Sequence, residues 1–144
     1  MNSNRLAQIA YTLLRIAAGV MFLQAGGRIL FGWFGGMPGG ASLNLLSQVG
    51  IGGILEFFGG IAIVLGLCTR PVAFILSGEM AVAYWQFHAL GKESPGLWPI
   101  QNHGEPAVLF CFIFLYMAAY GGGEWSLDAM LRRKSATSTD PAKR

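Results

Sequence analysis

Apolar side chains fill four long stretches of the chain, at about residues 6–31, 49–67, 71–90 and 105–120. Each approaches the roughly 20 residues a helix needs to cross a ~30 Å hydrocarbon core, the fourth being the shortest. The pattern predicts an all-α bundle of four transmembrane helices. The segments between them differ in kind. Residues 32–48 are rich in Gly and carry no charge. Cys68-Thr69-Arg70-Pro71 reads as a tight turn, with Pro71 suited to the first position of the next helix. Residues 91–104 hold Pro95, Trp98 and Pro99. After the fourth stretch, Gly121-Gly122-Gly123 stops the helix. Residues 125–134 then predict a short cytoplasmic amphipathic segment, with Trp125, Leu127, Met130 and Leu131 apolar and Arg132, Arg133 and Lys134 near the headgroups. One membrane domain over residues 1–134 is expected, followed by a disordered polar tail at 135–144.

Composition strengthens this picture. The chain of 144 residues is 53% hydrophobic and 12% charged, about half the charged fraction of roughly 25% usual in soluble domains. The lipid bilayer is therefore the first partner. The net charge of +3 is not spread as a nucleic-acid footprint, since no basic stripe with interleaved aromatics occurs. It is a topology signal instead. Arg5, Arg70, Arg132, Arg133, Lys134, Lys143 and Arg144 fall at the termini and second connection, whereas the first and third connections carry only Lys92. Both termini are expected in the cytoplasm. The first stretch is expected to stay as a helix: it carries Arg15 in its middle and no Ala-x-Ala cleavage pattern.

Six ionisable residues lie in or at the ends of these stretches: Arg15, Arg28, Glu56, Glu79, His88 and Glu105. Charge at membrane depth is costly and usually lines a polar interior. Arg15 and Glu79 fall at matching depths, about 10 Å from the cytoplasmic boundary, and an ion pair between them is expected. Glu56 is expected in a second layer toward the periplasmic side with Gln24, Arg28 and Glu105. Gly52, Gly53, Gly59 and Gly60 flank Glu56 on one face, as a groove for a ligand or as a site of close helix packing. In a straight helix Gln86 shares a face with Glu79, and His88 becomes a boundary residue. Leu109, Phe112 and Tyr116 form a stripe expected to face the core. Trp33, Phe34, Tyr84, Trp85 and Trp98 form an aromatic belt. Cys68 and Cys111 differ in depth by roughly 20 Å, too far for a disulfide. His88, His103 and Glu105 match no metal-binding spacing, and no metal site is expected.

Four motifs in order carry a family resemblance. Arg15-x-x-x-Gly19-x-x-Phe22-Leu23-x-x-Gly26 with Leu30-Phe31-Gly32, and Glu56-Phe57-Phe58-Gly59-Gly60 with Leu65-Gly66-Leu67-x-Thr69-Arg70-Pro71, resemble the first half of the DoxX family of small bacterial membrane proteins. Gly78-Glu79-Met80-Ala81-Val82-Ala83-Tyr84 and Trp98-Pro99-Ile100-x-Asn102-x-Gly104-Glu105 extend the likeness to nearly the whole chain. Arg28 stands where that pattern leads one to expect Lys.

The resemblance implies four spans in the bacterial inner membrane. It also implies a link to thiosulfate:quinone oxidoreductase or to other membrane oxidoreductase complexes. The function expected is a quinone-linked redox protein or a membrane subunit of such a complex, with an oxidoreductase partner and no intrinsic cofactor. Glu56, Glu79 and Glu105 are candidates for chemistry; Arg15, Gln24, Arg28, Glu56, Glu79 and Gln86 are candidates for ligand binding. Assembly as a homo-oligomer is open. The alternative is a non-enzymatic membrane anchor or assembly partner for a soluble enzyme. Small-solute transport ranks below both, because four spans seldom enclose a pathway alone.

Overall fold

The computed structural model describes residues 3–36, 44–91 and 96–138. Among these the chain is helical, with no strand. Helix α1 spans Ser3–Phe31 and is followed by a 3₁₀ turn at Trp33–Gly35. Helix α2 spans Gln48–Leu65, and α3 spans Thr69–Ala83 and continues as a π-helical turn over Tyr84–Ala89. A short α4 at Pro99–Asn102 precedes α5, Glu105–Tyr120, and α6, Leu127–Ser138. Two helices, Asn4–Phe31 and Gln48–Leu65, are long and apolar enough to cross a bilayer; Glu105–Tyr120 is a shorter apolar helix.

The boundaries differ from expectation in small ways. Helix α3 begins at Thr69, so Pro71 is its third residue and not its first. Proline is tolerated there because the first N–H groups of a helix have no intrahelical acceptor. Helix α6 runs to Ser138, into the segment expected to be disordered. Lys92, Pro95 and residues 139–144 lie outside the described residues.

The helices pack as two close pairs. Helix α1 makes its most extensive contact with α2, and α3 with α5. Glycines set the first pair. A Cβ on Gly60 would stand 2.7 Å from Gly19 O, and one on Gly26 would stand 2.6 Å from Gly53 O. Close helix packing thus accounts for Gly53 and Gly60, which bring two backbones together. In the second pair Ala73 is fully buried and Ser77 Oγ donates to Cys111 O at 2.8 Å.

Two seams join the pairs. Aromatic rings fill the one between α1 and α5: Phe22 meets Phe114 edge-on at 4.5 Å, and Tyr11 lies 4.6 Å from Tyr120. The other, between α2 and α3, holds a cavity.

One face assignment is corrected. Leu109, Phe112 and Tyr116 do not face the core; they are 61%, 63% and 52% exposed, while Ala107, Phe114 and Met117 are buried. This helix is apolar on every side, so its outer stripe looks like a core stripe in the sequence.

Candidate functional site: an acidic cavity between α2 and α3

Helices α2 and α3 form an antiparallel hairpin around a turn that closes tightly. Gly66 takes a left-handed conformation (φ 66°), with Leu67 N–H donating to Ala62 O at 2.9 Å and Gly66 N–H to Ile63 O at 3.1 Å. This is the Schellman closure, for which glycine suits the left-handed position. A turn so short sets the register of everything above it. Glu56 stands nine residues before the end of α2, and Glu79 ten residues after the start of α3. At about 1.5 Å per residue the two carboxylates are level.

Both line one cavity of about 380 Å³, with Ile29, Leu55, Ile75, Met80 and Phe87 among its walls. Gly52 makes room for Glu79, since a Cβ there would stand 3.2 Å from Glu79 Oε1, and nothing lies within 4 Å of the corresponding point on Gly78. Oε2 of Glu56 and Oε2 of Glu79 are each buried without a hydrogen-bond partner. No Lys, Arg or His is among the lining residues. Two carboxylates in apolar surroundings call for a proton, a cation or a hydrogen-bonding ligand between them. Gln48 donates to Gln86 across the end of this cavity farthest from the turn.

The expected Arg15–Glu79 ion pair is absent. Arg15 is 2% exposed, but its guanidinium donates to Ile63 O and Val64 O, both at 2.6 Å, and to Trp125 O at 2.8 Å. Its long side chain reaches the last turn of α2, where unpaired carbonyls and the negative end of the helix dipole attract a cation. On the other side of the same turn Asp128 accepts from Cys68 N–H at 2.7 Å and Thr69 N–H at 2.9 Å. Helix α3 has no acidic residue in its first turn and no side-chain cap from its own N-cap residue, so α6 supplies the cap. Burial alone would raise the Asp128 carboxyl, but the Thr69 and Cys68 hydrogen bonds outweigh it and hold the group below its ordinary range. Sequence reasoning missed Asp128. Its signal was a lone acid beside Arg132, Arg133 and Lys134, with an uncapped helix start elsewhere.

The other candidates lie apart. Gln24 and Arg28 are exposed on α1, and Arg28 Nε donates to Gly36 O at 2.7 Å. Glu105 is exposed at the start of α5. None of the three lines the cavity. Gln86 does not line it either: the π-helical turn inserts a residue, so Phe87 takes the wall position expected of Gln86. His88 Nδ1 lies 3.0 Å from Asn102 O, and its ring stacks on Tyr84. Cys68 and Cys111 are free, and among the described residues no cluster of three metal-ligating side chains occurs.

The family model described as DoxX matches residues 10–89, more than half of the chain. The chain belongs to the DoxX family. As a DoxX protein it is a membrane protein, and the matched region holds Arg15, Glu56 and Glu79 but stops short of α5 and Asp128. It is 38% identical over 121 residues to an uncharacterized protein of Haemophilus influenzae, covering 84% of this chain and 90% of that one. It is also 25% identical over 145 residues to the inner membrane protein YqjF of Escherichia coli strain K12, covering 90% of this chain and 98% of the relative. No solved structure matches.

Proposed function

We propose that this DoxX protein spans the bacterial inner membrane four times with both termini in the cytoplasm. In this reading its α2/α3 cavity binds a quinone or a related hydrogen-bonding ligand as part of an oxidoreductase complex. The third span would be Thr69–Ala83 with its π-helical continuation, about 30 Å in all at ~1.5 Å per residue. Glu105–Tyr120 would be the fourth. The distribution of Lys and Arg supports the orientation, and the name of the Escherichia coli relative supports the membrane.

The observation that carries the ligand reading is the pair of buried, unpartnered oxygens of Glu56 and Glu79 in one apolar cavity. Its volume falls within the roughly 300–1,000 Å³ of small-molecule sites, which are mostly apolar with a few convergent polar groups. A protonated carboxyl donates to a quinone carbonyl, and a carboxylate accepts from a quinol hydroxyl, so one pair of side chains fits both forms. Glu56 and Glu79 would then exchange the protons that accompany electron transfer. The electrons would come from a partner subunit.

The test is quinone retention after extraction in mild detergent, read by mass spectrometry of the intact particle. Glu56→Gln with Glu79→Gln should lower bound quinone by about tenfold, the loss of roughly 1.4 kcal/mol of binding. Wild-type protein free of quinone would end this reading. A stoichiometric partner retained equally by wild type and double variant, without quinone, would favour the anchor role.

A further inference from the structure

The acidic cavity has a neighbour across its apolar wall. Leu55 and Ile75 also line a second hollow of about 220 Å³ on the same seam, which runs toward the Gly66-Leu67-Cys68 turn past Ile54 and Phe58 of α2 and Val72 of α3. No ionisable or hydrogen-bonding side chain lines it. Its depth is closed by Leu76, which is buried against Gly59, where a Cβ would stand 2.9 Å from Leu76 Cδ2. Its outer side is open, because Ile54 and Phe58 are exposed.

The acidic cavity is enclosed in a complementary way. Ile29 of α1 packs on Gly53 behind it, and the Gln48–Gln86 bond crosses its far end. Ile51, Ile75, Val82 and Phe87, each about half exposed, leave only the flank of α2 and α3 open.

We infer, resting on the quinone-site reading above, that the ligand is a tailed amphiphile. Its polar ring lies between Glu56 and Glu79, and its hydrocarbon tail lies in the groove of Ile54, Phe58 and Val72. The two hollows share Leu55 and Ile75 and so adjoin on one seam, within reach of a single molecule lying along the open flank of α2 and α3. Polar chemistry is confined to one hollow and absent from the other, which is the division within a lipid quinone. A tail leaving bilayer lipid gains little from burial alone, since lipid is equally apolar. The groove therefore acts by orientation: it directs the tail toward the α2–α3 turn and holds the ring level with the carboxylates.

The test uses the full chain in lipid nanodiscs and a benzoquinone carrying a photoreactive decyl tail. Crosslinks should fall on Ile54, Phe58 and Val72, and a tail-less benzoquinone in excess should suppress them. Ile54→Trp fills the groove from an exposed position and should lower labelling at least about fivefold. Phe58→Ala, which leaves the fold intact for the same reason, should spread the crosslinks onto neighbouring residues. Labelling that depends on Glu56 but maps to α1 or α5 would overturn the groove while leaving the ring site standing. Labelling unaffected by both Glu56→Gln and the tail-less ring would overturn the quinone reading and the groove with it.

Discussion

Two groups of ionisable side chains meet the same α2–α3 hairpin, and they are treated in different ways. At the turn, Arg15 donates to three backbone carbonyls and Asp128 accepts two backbone N–H groups. A cation thus closes the C-terminus of α2 and an anion opens the N-terminus of α3, as the helix dipoles favour. Midway along the hairpin, Glu56 and Glu79 share a cavity with an unpartnered oxygen each. At the turn the fold supplies partners to both charges, with Arg15 Nε left without one. Charge left short of partners weakens the fold, and the ligand proposed above is what would offset that cost.

The largest effect should come from the turn. Replacing Arg15 by Met strands the carbonyls of Ile63, Val64 and Trp125 and should cost on the order of 3–5 kcal/mol, at about 1–3 kcal/mol for each buried acceptor left unpaired. Unfolding in detergent would report it, and a loss below about 1 kcal/mol would remove the distinction between the two groups.

Next come the glycines of α2, where one substitution separates the faces of a single helix. Gly60→Ala drives a methyl against the backbone of α1 and should destabilise by about 1–3 kcal/mol. Gly52→Ala meets only Glu79 Oε1, at 3.2 Å, and should leave stability nearly unchanged while weakening ligand retention.

The cavity should respond with the opposite sign. Glu56→Met exchanges a carboxylate for an apolar chain of similar volume, and should raise the unfolding free energy by about 1–2 kcal/mol while abolishing quinone binding. A destabilised Glu56→Met protein would mean that this glutamate serves the fold as Arg15 does.

The smallest effect concerns the α3 cap. Asp128→Asn removes the charge and one of the two accepting oxygens and should cost about 1 kcal/mol. Its pH dependence follows from the direction of the shift. The folded carboxyl lies below its unfolded value, so its contribution is complete above about pH 4–5 and is lost as pH falls through the folded value. Wild-type stability should therefore drop in that acid range, and the difference between wild type and Asp128→Asn should vanish with it.

The level pairing of Glu56 with Glu79 was within reach of the sequence. Once Cys68-Thr69-Arg70-Pro71 is read as a tight turn, counting outward in both directions brings the two glutamates together, and Gln48 with Gln86 as well. The matching of Arg15 with Glu79 by depth failed because depth alone ignores how far an arginine reaches and which acceptors it meets. Backbone carbonyls at a helix end have no side-chain signature. Asp128 escaped notice for the same reason, since what it accepts from is the main chain of a remote helix.

What the sequence alone determined is the set of apolar stretches, the family, and the presence of charges that lipid would not tolerate. Glu105–Tyr120 occupies the bounds its composition indicated, and α1 and α2 come within a few residues of theirs. Tertiary structure alone decided which face of each helix turns inward, as Leu109, Phe112 and Tyr116 show by facing out while Phe114 and Met117 are buried. It also decided the π-helical turn that rotates Phe87 into the cavity in place of Gln86. The physical reason is common to both. A helix that is apolar on nearly every side carries no stripe to mark its inner face, and only the packing of its neighbours selects the face they cover.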